Sequence, residues 1–444
     1  MRNSLPLHGS CHPDHQEYGT QAQWANSRGY WAVTRSQQAL AFFLDASRLY
    51  FLRSHVAHHG LSVKTKILPY CPRPDQQKKL QRGSTLVWRH GVAKPGETTV
   101  LVTGGSGYLG GWCLVELLRR GYRVRATVRS LARESELRAA LAGEVEAEDR
   151  LSVFRADLTA DSGWDEAAMG CDYVLHVASP NPKGPPKRPD DLIVPAREGT
   201  LRVLRAGLRA GVSRVVVTSS STAIRHPREK PMRPYDESDW TDAARAVPYA
   251  RAKTIAERAA WDLVNGQGAS DRLATVLPGA VIGPVLNGNL SNSMQIITRP
   301  LQRKPPALPR LGFALVDVRD IADLHIKAMT TPEAAGRRFI GVAEFRWLSD
   351  IARVLREGLG DAGARVPTRP MPDIAFRAFA TFVPQLREVV RELNQRYDYS
   401  TQQARTLLGW SPRPVEDTIL DSAHSLIRHG VVKAPPSTRD QVEP

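Results

Sequence analysis

The sequence predicts an α/β protein: a doubly wound parallel sheet followed by a smaller, mostly helical C-terminal part. Three observations carry this. A short apolar strand, Thr98 to Val102, runs into the glycine-rich turn Thr103-Gly104-Gly105-Ser106-Gly107-Tyr108-Leu109-Gly110 and then into an amphipathic helix. Short β-branched strands then alternate with helices along the chain. The residues richest in chemistry fall at the carboxyl ends of those strands, where open α/β sheets bind their ligands.

Each element follows from local pattern. After the turn, Leu114, Leu117 and Leu118 recur at helical spacing and Gly121 closes the helix. Strand, tight turn and helix N-terminus together make an anion site: the glycines let the backbone approach a pyrophosphate, and the helix dipole favours its charge. Two glycine registers fit, Gly105-x-Gly107-x-x-Gly110 and Gly104-x-x-Gly107-x-x-Gly110. The pattern predicts a second strand over Arg123–Arg129, a charged helix over Ala132–Leu141 and a third strand over Leu151–Arg155, which ends in Ala156-Asp157-Leu158-Thr159. It predicts a fourth strand over Asp172–Val177, a helix over Pro195–Ala210 and a fifth strand over Arg214–Ser219. Strands separated by crossover helices must run parallel.

The chain has 444 residues, of which 42% are hydrophobic, enough for a large core. Its formal charge of +16 invites a nucleic-acid reading until it is located. Residues 1–96 hold 13 basic and 4 acidic side chains, so more than half of the excess lies there. No zinc-finger spacing, RNA-binding signature or basic helix accompanies it, and no nucleic-acid partner is expected. Cys11, Cys71, Cys113 and Cys171 are scattered without metal-ligand spacing, so no metal is expected. Cys113 and Cys171 fall in apolar elements, which suits reduced thiols and a cytoplasmic setting. No secretory signal opens the chain and no run approaches the ~20 apolar residues of a membrane span, so no membrane partner is expected.

Residues 1–96 are expected to be mostly disordered and unnecessary for activity, and a start codon set too far upstream would account for them. Within them Gln37–Phe51 reads as an amphipathic helix. His55, His58 and His59 lack a carboxylate or cysteine at useful spacing.

Two further features bear on chemistry. A site for NAD places an acid near the end of the second strand, to hold the ribose 2′-hydroxyl. Here that place offers Arg129, with Arg133 one turn on, and an arginine there attracts a 2′-phosphate, so NADP is expected and NAD is the alternative. Pro248-Tyr249-Ala250-Arg251-Ala252-Lys253 opens a helix that puts Tyr249 and Lys253 on one face. A nearby ammonium favours the tyrosinate, which makes the phenol a usable acid or base. The serines at the end of the fifth strand come about 30 residues earlier, and Ser220 or Ser221 can hold a substrate carbonyl.

With these residues in place the chain resembles an extended short-chain dehydrogenase/reductase, in the branch of dihydroflavonol-4-reductase-like and bacterial aldehyde-reductase-like proteins. The resemblance rests on residues 103–110, Val124–Arg129, His176-Val-Ala-Ser-Pro180 and Thr218–Ser221. It continues with Asp236-Glu-Ser-Asp-Trp240, Pro248–Lys253, Leu277–Pro284, Val316-Asp-Val-Arg-Asp320 and Leu408-Gly-Trp-Ser-Pro412. It implies a Rossmann domain over 97–284, a substrate cap over 285–430 interleaved with Rossmann strands, and a flexible tail over 431–444. It implies cofactor contacts at Gly104, Gly107, Tyr108, Leu109, Gly110, Arg129, Asp157, Leu158, Ala178, Tyr249, Lys253 and Pro278. It also implies a mechanism: hydride passes from the nicotinamide to a carbonyl carbon, Tyr249 gives the proton, Lys253 tunes Tyr249, and Ser220 polarises the carbonyl, with Ser221 as the alternative. Ser220 is favoured because its strand register then matches the reductase branch. The expected substrate is a small aldehyde or ketone, and many relatives are homodimers.

The chain departs from the pattern at three places, one of them the run Ser219-Ser220-Ser221, which leaves the catalytic serine open by one position. Ala252 stands where the family often has serine, and Glu136 where the plant enzymes carry lysine. A nucleotide-sugar epimerase, a hydroxysteroid dehydrogenase-like enzyme and a cofactor-sensing protein without turnover are the competing readings. In the cap, Met294, Pro305–Pro309, Phe313 and a helical stretch from Ile374 to Leu393 read equally as an apolar substrate pocket or as core, and Phe376–Val383 as domain packing.

Overall fold

Two units divide the chain, Met1–His90 and Gly91–Pro444. The computed structural model describes residues 94–432, apart from 181–187, 189, 226–231, 384–385 and 387, and the backbone of three strands nearer the N-terminus. Those strands correct one expectation. Gln37–Phe51 does not form a helix: Gln38–Asp45 (β1) pairs antiparallel with Arg48–His55 (β2), and β2 with Thr65–Pro69 (β3). The apolar run 39–44 is followed at once by a second run, 49–52, with Asp45-Ala46-Ser47-Arg48 between them. Two aromatic-rich runs around a short polar break suit a hairpin, and periodicity alone cannot tell such runs from a helix. The rest of the expectation for residues 1–96 lies outside the described residues, as do Cys11, Cys71, His58, His59 and most of the C-terminal tail.

In the second unit the elements follow the predicted alternation. They are Thr99–Thr103 (β4), Tyr108–Arg119 (α1), Arg123–Val128 (β5), Glu134–Ala142 (α2), Leu151–Arg155 (β6), Trp164–Ala168 (α3) and Tyr173–His176 (β7). Next come Asp190–Ala210 (α4), Arg214–Thr218 (β8), Pro248–Gly266 (α5), Leu273–Pro278 (β9) and Ala280–Ile282 (β10). Gln295–Leu301 (α6), Gly312–Asp317 (β11), Val318–Thr330 (α7), Arg337–Gly341 (β12) and Glu344–Trp347 (β13) follow. The chain ends in Leu348–Gly358 (α8), Asp373–Phe382 (α9), Gln402–Leu408 (α10) and Val415–Arg428 (α11).

Seven strands form one parallel sheet in the order β12-β9-β8-β7-β4-β5-β6. The order reverses at β4 and β7, and the glycine turn leaves β4 at that switch point. Helices cover both faces. On one side Trp112, Leu114, Leu117 and Leu118 of α1 pack against β4 and β5, and Ile321 and Leu324 of α7 against β9 and β12. On the other, Val203 and Leu204 of α4 and Ala260 and Val264 of α5 cover Leu101, Val174 and Val215. Each such fully buried leucine contributes about 2 kcal/mol.

The C-terminal part is interleaved with this sheet. β12 returns to its edge beside β9, while β10, β11 and β13 form a small second sheet. Met294 and Leu308 are buried in the core between that sheet and α6, α8 and α11, so these two apolar residues of the cap serve packing. Residues 316–320 clamp the two parts together. Asp317 caps α7 and pairs with Arg319, which also reaches Asp421 of α11. Asp320 accepts from the backbone and guanidinium of Arg413, and its carbonyl accepts from the Trp410 indole.

Two helices differ from expectation. The helix expected at Pro195 begins earlier, at Asp190, and contains Pro195 in its second turn. The stretch Ile374–Leu393 is α-helical only to Phe382, because Val383 precedes Pro384 and is pushed into extended backbone (φ −121°, ψ 93°); a single 3-10 turn follows at Val389–Glu392. Phe376 and Ala380 of α9 are buried, whereas Ile374, Phe379 and Phe382 are exposed. Among the described residues no helix is long and apolar enough to cross a membrane.

Candidate active site

The glycine turn is shaped by close approach. Gly104 has φ +71°, a region that favours glycine, and its N–H donates to the Thr127 hydroxyl at the end of β5. A Cβ on Gly110 would lie 2.2 Å from the Gly104 carbonyl oxygen, so no side chain fits there. Gly110 is common to both registers, and the positive φ of Gly104 favours Gly104-x-x-Gly107-x-x-Gly110. Gly107 precedes α1 and offers no capping side chain, and no acid stands in the first turn. The first N–H groups of α1 and the positive end of its dipole are left for an anion. The cradle therefore fits a dinucleotide pyrophosphate.

Thr103 fixes the wall opposite. Its hydroxyl accepts from the N–H groups of Val177 and Ala178, at 3.1 and 3.0 Å, and bonds His176 Nδ1 at 2.8 Å. With both lone pairs taken, the Thr103 proton goes to Nδ1, so His176 is the neutral tautomer that donates from Nε2 to Thr200. Burial, helped by the charge of Lys253, holds its pKa down at about 3. Ala178 is thereby set against Gly104, whose added Cβ would meet it at 3.0 Å.

The three serines after β8 point to three different partners. Ser219 donates to Glu257 at 2.5 Å. Ser220 accepts from Thr222, at 3.2 Å from its N–H and 3.0 Å from its hydroxyl, and hydrogen-bonds Tyr249. Ser221 hydrogen-bonds Tyr399 from the C-terminal part. Tyr249 sits in the first turn of α5, after Pro248 at the first helical position. The residue as a whole is 48% exposed, but its hydroxyl end is enclosed. Burial raises the phenol pKa, and the Ser220 hydrogen bond and the charge of Arg225 pull it back. Arg225 is held over the Tyr397 ring, 4.4 Å from its centroid, and pairs with Glu392.

One turn along α5, the Lys253 ammonium donates to the Thr218 carbonyl at 3.0 Å. Burial lowers its pKa to about 8, opposed by the charge of Glu257. His325 of α7 stands behind: its Nδ1 donates to the Ile321 carbonyl and its Nε2 accepts from the Thr218 hydroxyl. Burial and the Lys253 charge keep His325 neutral, with a pKa of about 4. A small cleft opens here, lined by Ala178, Pro180, Thr200, Thr218 and Lys253 among others.

The remaining predicted residues lie along the same edge of the sheet. Arg129 is exposed at the end of β5 and makes no hydrogen bond or ion pair among the described residues. Arg133 reaches the Ser106 hydroxyl of the glycine turn at 3.3 Å but is paired with Glu136, which also accepts from Asn289. Asp157 accepts from the N–H and hydroxyl of Thr159, which lower its pKa, and Arg129 adds to this. Leu158 packs on α4 at Gly199. Leu109 packs against the core, and Pro278 is buried at the end of β9. The Tyr108 ring packs into the cores of both parts, and its buried hydroxyl has no partner among the described residues. Its backbone, not its ring, lies at the turn. Among the described residues no group of histidine, cysteine, aspartate and glutamate could hold a metal, and Cys113 and Cys171 are free and buried.

Sequence reasoning missed Arg225, Tyr399 and the Glu257–Arg338 pair. Only Glu257 left a signal, as the third member of the helical face Tyr249, Lys253, Glu257.

Comparison with known proteins agrees with this geometry. The pattern of the NAD dependent epimerase/dehydratase family matches residues 100–341. The chain is 33% identical over 340 residues to tetraketide alpha-pyrone reductase 1 of Arabidopsis thaliana, covering 74% of this chain and 96% of that one. It is 37% identical over 264 residues to cinnamoyl-CoA reductase 1 of Oryza sativa subsp. japonica, covering 58% and 75%. Gre2 of Candida albicans in complex with NADPH has a similar structure, with TM-score 0.63 and 25% identity, covering 75% of this chain and 99% of that one. The chain thus belongs to the NAD dependent epimerase/dehydratase family, among the extended short-chain dehydrogenase/reductases.

Proposed function

We propose that the protein reduces an aldehyde or ketone carbonyl to the alcohol, using NADPH. The relatives named above as reductases support an oxidoreductase and the direction of reaction. The observation that carries the proposal is the Tyr249 hydroxyl set beside Ser220, with Lys253, which lines the cleft, one turn further along α5. A substrate oxygen there meets two hydroxyls. Ser220 holds and polarises it, and Tyr249 gives it a proton as charge develops. Lys253 stabilises the tyrosinate left behind and is placed to hold the nicotinamide ribose hydroxyls. The bound nicotinamide supplies the hydride. Gly104, Gly107 and Gly110 hold the pyrophosphate, Asp157 and Leu158 face the adenine, Ala178 the ribose and Pro278 the nicotinamide. The unpaired Arg129 takes the 2′-phosphate.

Dehydration needs an acid just after the active hydroxyl. Here Ser221 is engaged with Tyr399, and the Thr222 hydroxyl is bonded to Ser220. The test is optical: NADPH oxidation by purified protein against aldehydes, ketones and dihydroflavonols. Oxidation that depends on the carbonyl compound and collapses in Tyr249→Phe is expected. Tight cofactor binding with no net consumption across the panel would instead favour an epimerase.

A further inference from the structure

Behind the reacting face lies a buried charge pair that the proposed reaction does not use. Glu257 is 1% exposed. Its Oε2 accepts from Ser219 at 2.5 Å, and its Oε1 accepts from Thr275 at 2.9 Å and from Arg338 Nε at 2.8 Å. Arg338, on β12, also donates to the carbonyls of Glu237 and Asp239 and lies 3.7 Å from the Trp240 ring centroid. Burying such a pair is costly, and a structural role alone is served as well by apolar packing. Its position makes the difference. Glu257 stands one turn after Lys253 and lines the same cleft, and its Ser219 partner adjoins Ser220.

We propose that Glu257 is a positioning residue of the active site: shared between Ser219 and Arg338, it holds the end of β8 against α5 and supplies the field in which Lys253 keeps its proton. This rests on the reading of Lys253 as part of the reductive site. The groups facing Lys253 fit the assignment. On α5 they are Tyr249 and Glu257; β7 brings His176, α7 brings His325, and β8 brings the Thr218 carbonyl and the Ser219 hydroxyl. Both histidines are neutral, and Arg338 acts only through Glu257. Arg225 lies on the far side, toward Tyr249. Glu257 is therefore the acid that acts on Lys253, in a setting whose burial works against the ammonium. Arg338 limits that effect by sharing the same carboxylate.

The test is a pH titration of the Lys253 ε-carbon resonance in lysine-labelled protein without added cofactor, assigned by its loss in Lys253→Arg. In the wild type a midpoint of about 8 is expected. Glu257→Gln keeps the shape and removes the charge, and the midpoint should fall by about one pH unit. Glu257→Asp keeps the charge and should stay within about half a unit of the wild type. An unmoved midpoint in Glu257→Gln, or equal shifts in both variants, overturns the proposal. Should Glu257→Gln fail to fold, a wild-type midpoint below about 6, where Lys253 has lost its proton at neutral pH, overturns it independently. The alkaline limb of kcat should move with the midpoint. A moved midpoint in a protein that reduces no carbonyl would overturn the reductase reading and leave this inference standing.

Discussion

The three consecutive serines make the finest distinction at the scale of single residues. Ser220→Ala removes the partner of Tyr249 and should lower kcat by roughly 10²-fold, as should Tyr249→Phe. Ser221→Ala removes only a contact to Tyr399 and should change kcat less than roughly threefold. Steady-state NADPH oxidation by the three variants checks this, and equal losses at the two serines would refute the assignment. The second residue-scale prediction concerns the cofactor. Arg129 has no partner among the described residues, whereas Arg133 is neutralised by Glu136 at 3.1 Å. Arg129→Ala should therefore weaken NADPH binding roughly tenfold and leave NADH binding unchanged. Glu136→Gln should strengthen NADPH binding selectively, because it frees Arg133 and removes a carboxylate from beside the phosphate. Calorimetric titration with both cofactors reads both changes. Much of this was legible in the sequence: Arg129, Tyr249 and Lys253 are marked by position and spacing. Arg225 was not, because it reaches Tyr249 only through the packing of Tyr397 and Glu392, more than 160 positions away. The division of labour among the serines was equally hidden, since it depends on which partner each hydroxyl meets.

Among the elements, the strand–turn–helix at 99–119 is the most constrained. Gly110→Ala would force a methyl group onto the Gly104 carbonyl. It should destabilise the fold by about 1–3 kcal/mol and weaken binding of both cofactors alike, unlike the Arg129 variant. Thermal melting with and without cofactor separates the two effects. This element was legible because glycine, apolar run and helical spacing all agreed. Gln37–Phe51 was not: its apolar residues are contiguous, which removes the periodicity that tells helix from strand. The helix beginning at Asp373 was overextended for a plainer reason, the restriction that Pro384 places on Val383.

At the scale of the whole molecule, two buried neutral histidines among the described residues, His176 and His325, stand near Lys253. Their pKa values of about 3 and 4 lie below the ordinary 6.5. As pH falls below about 6.5, the unfolded chain takes up protons that the folded chain refuses, so stability falls toward acid. At pH 5 the two histidines together cost about 4 kcal/mol relative to pH 7. Denaturant unfolding at the two pH values checks this, and equal free energies would contradict it. The parallel sheet followed from the alternation of elements, but the return of β12 to the sheet edge and the clamp at Asp317–Asp320 depend on contacts distant in sequence. One feature of that interleaving has a practical use. Trp112 lies inside α1, just beyond the pyrophosphate turn, and its indole donates to the Pro284 carbonyl where the C-terminal part begins. The indole is 2% exposed, so solvent scarcely quenches it. Reduced nicotinamide absorbs tryptophan emission, so cofactor binding should quench the protein's fluorescence, and Trp112, one of nine tryptophans, should carry part of that signal as a gauge of occupancy that needs no substrate.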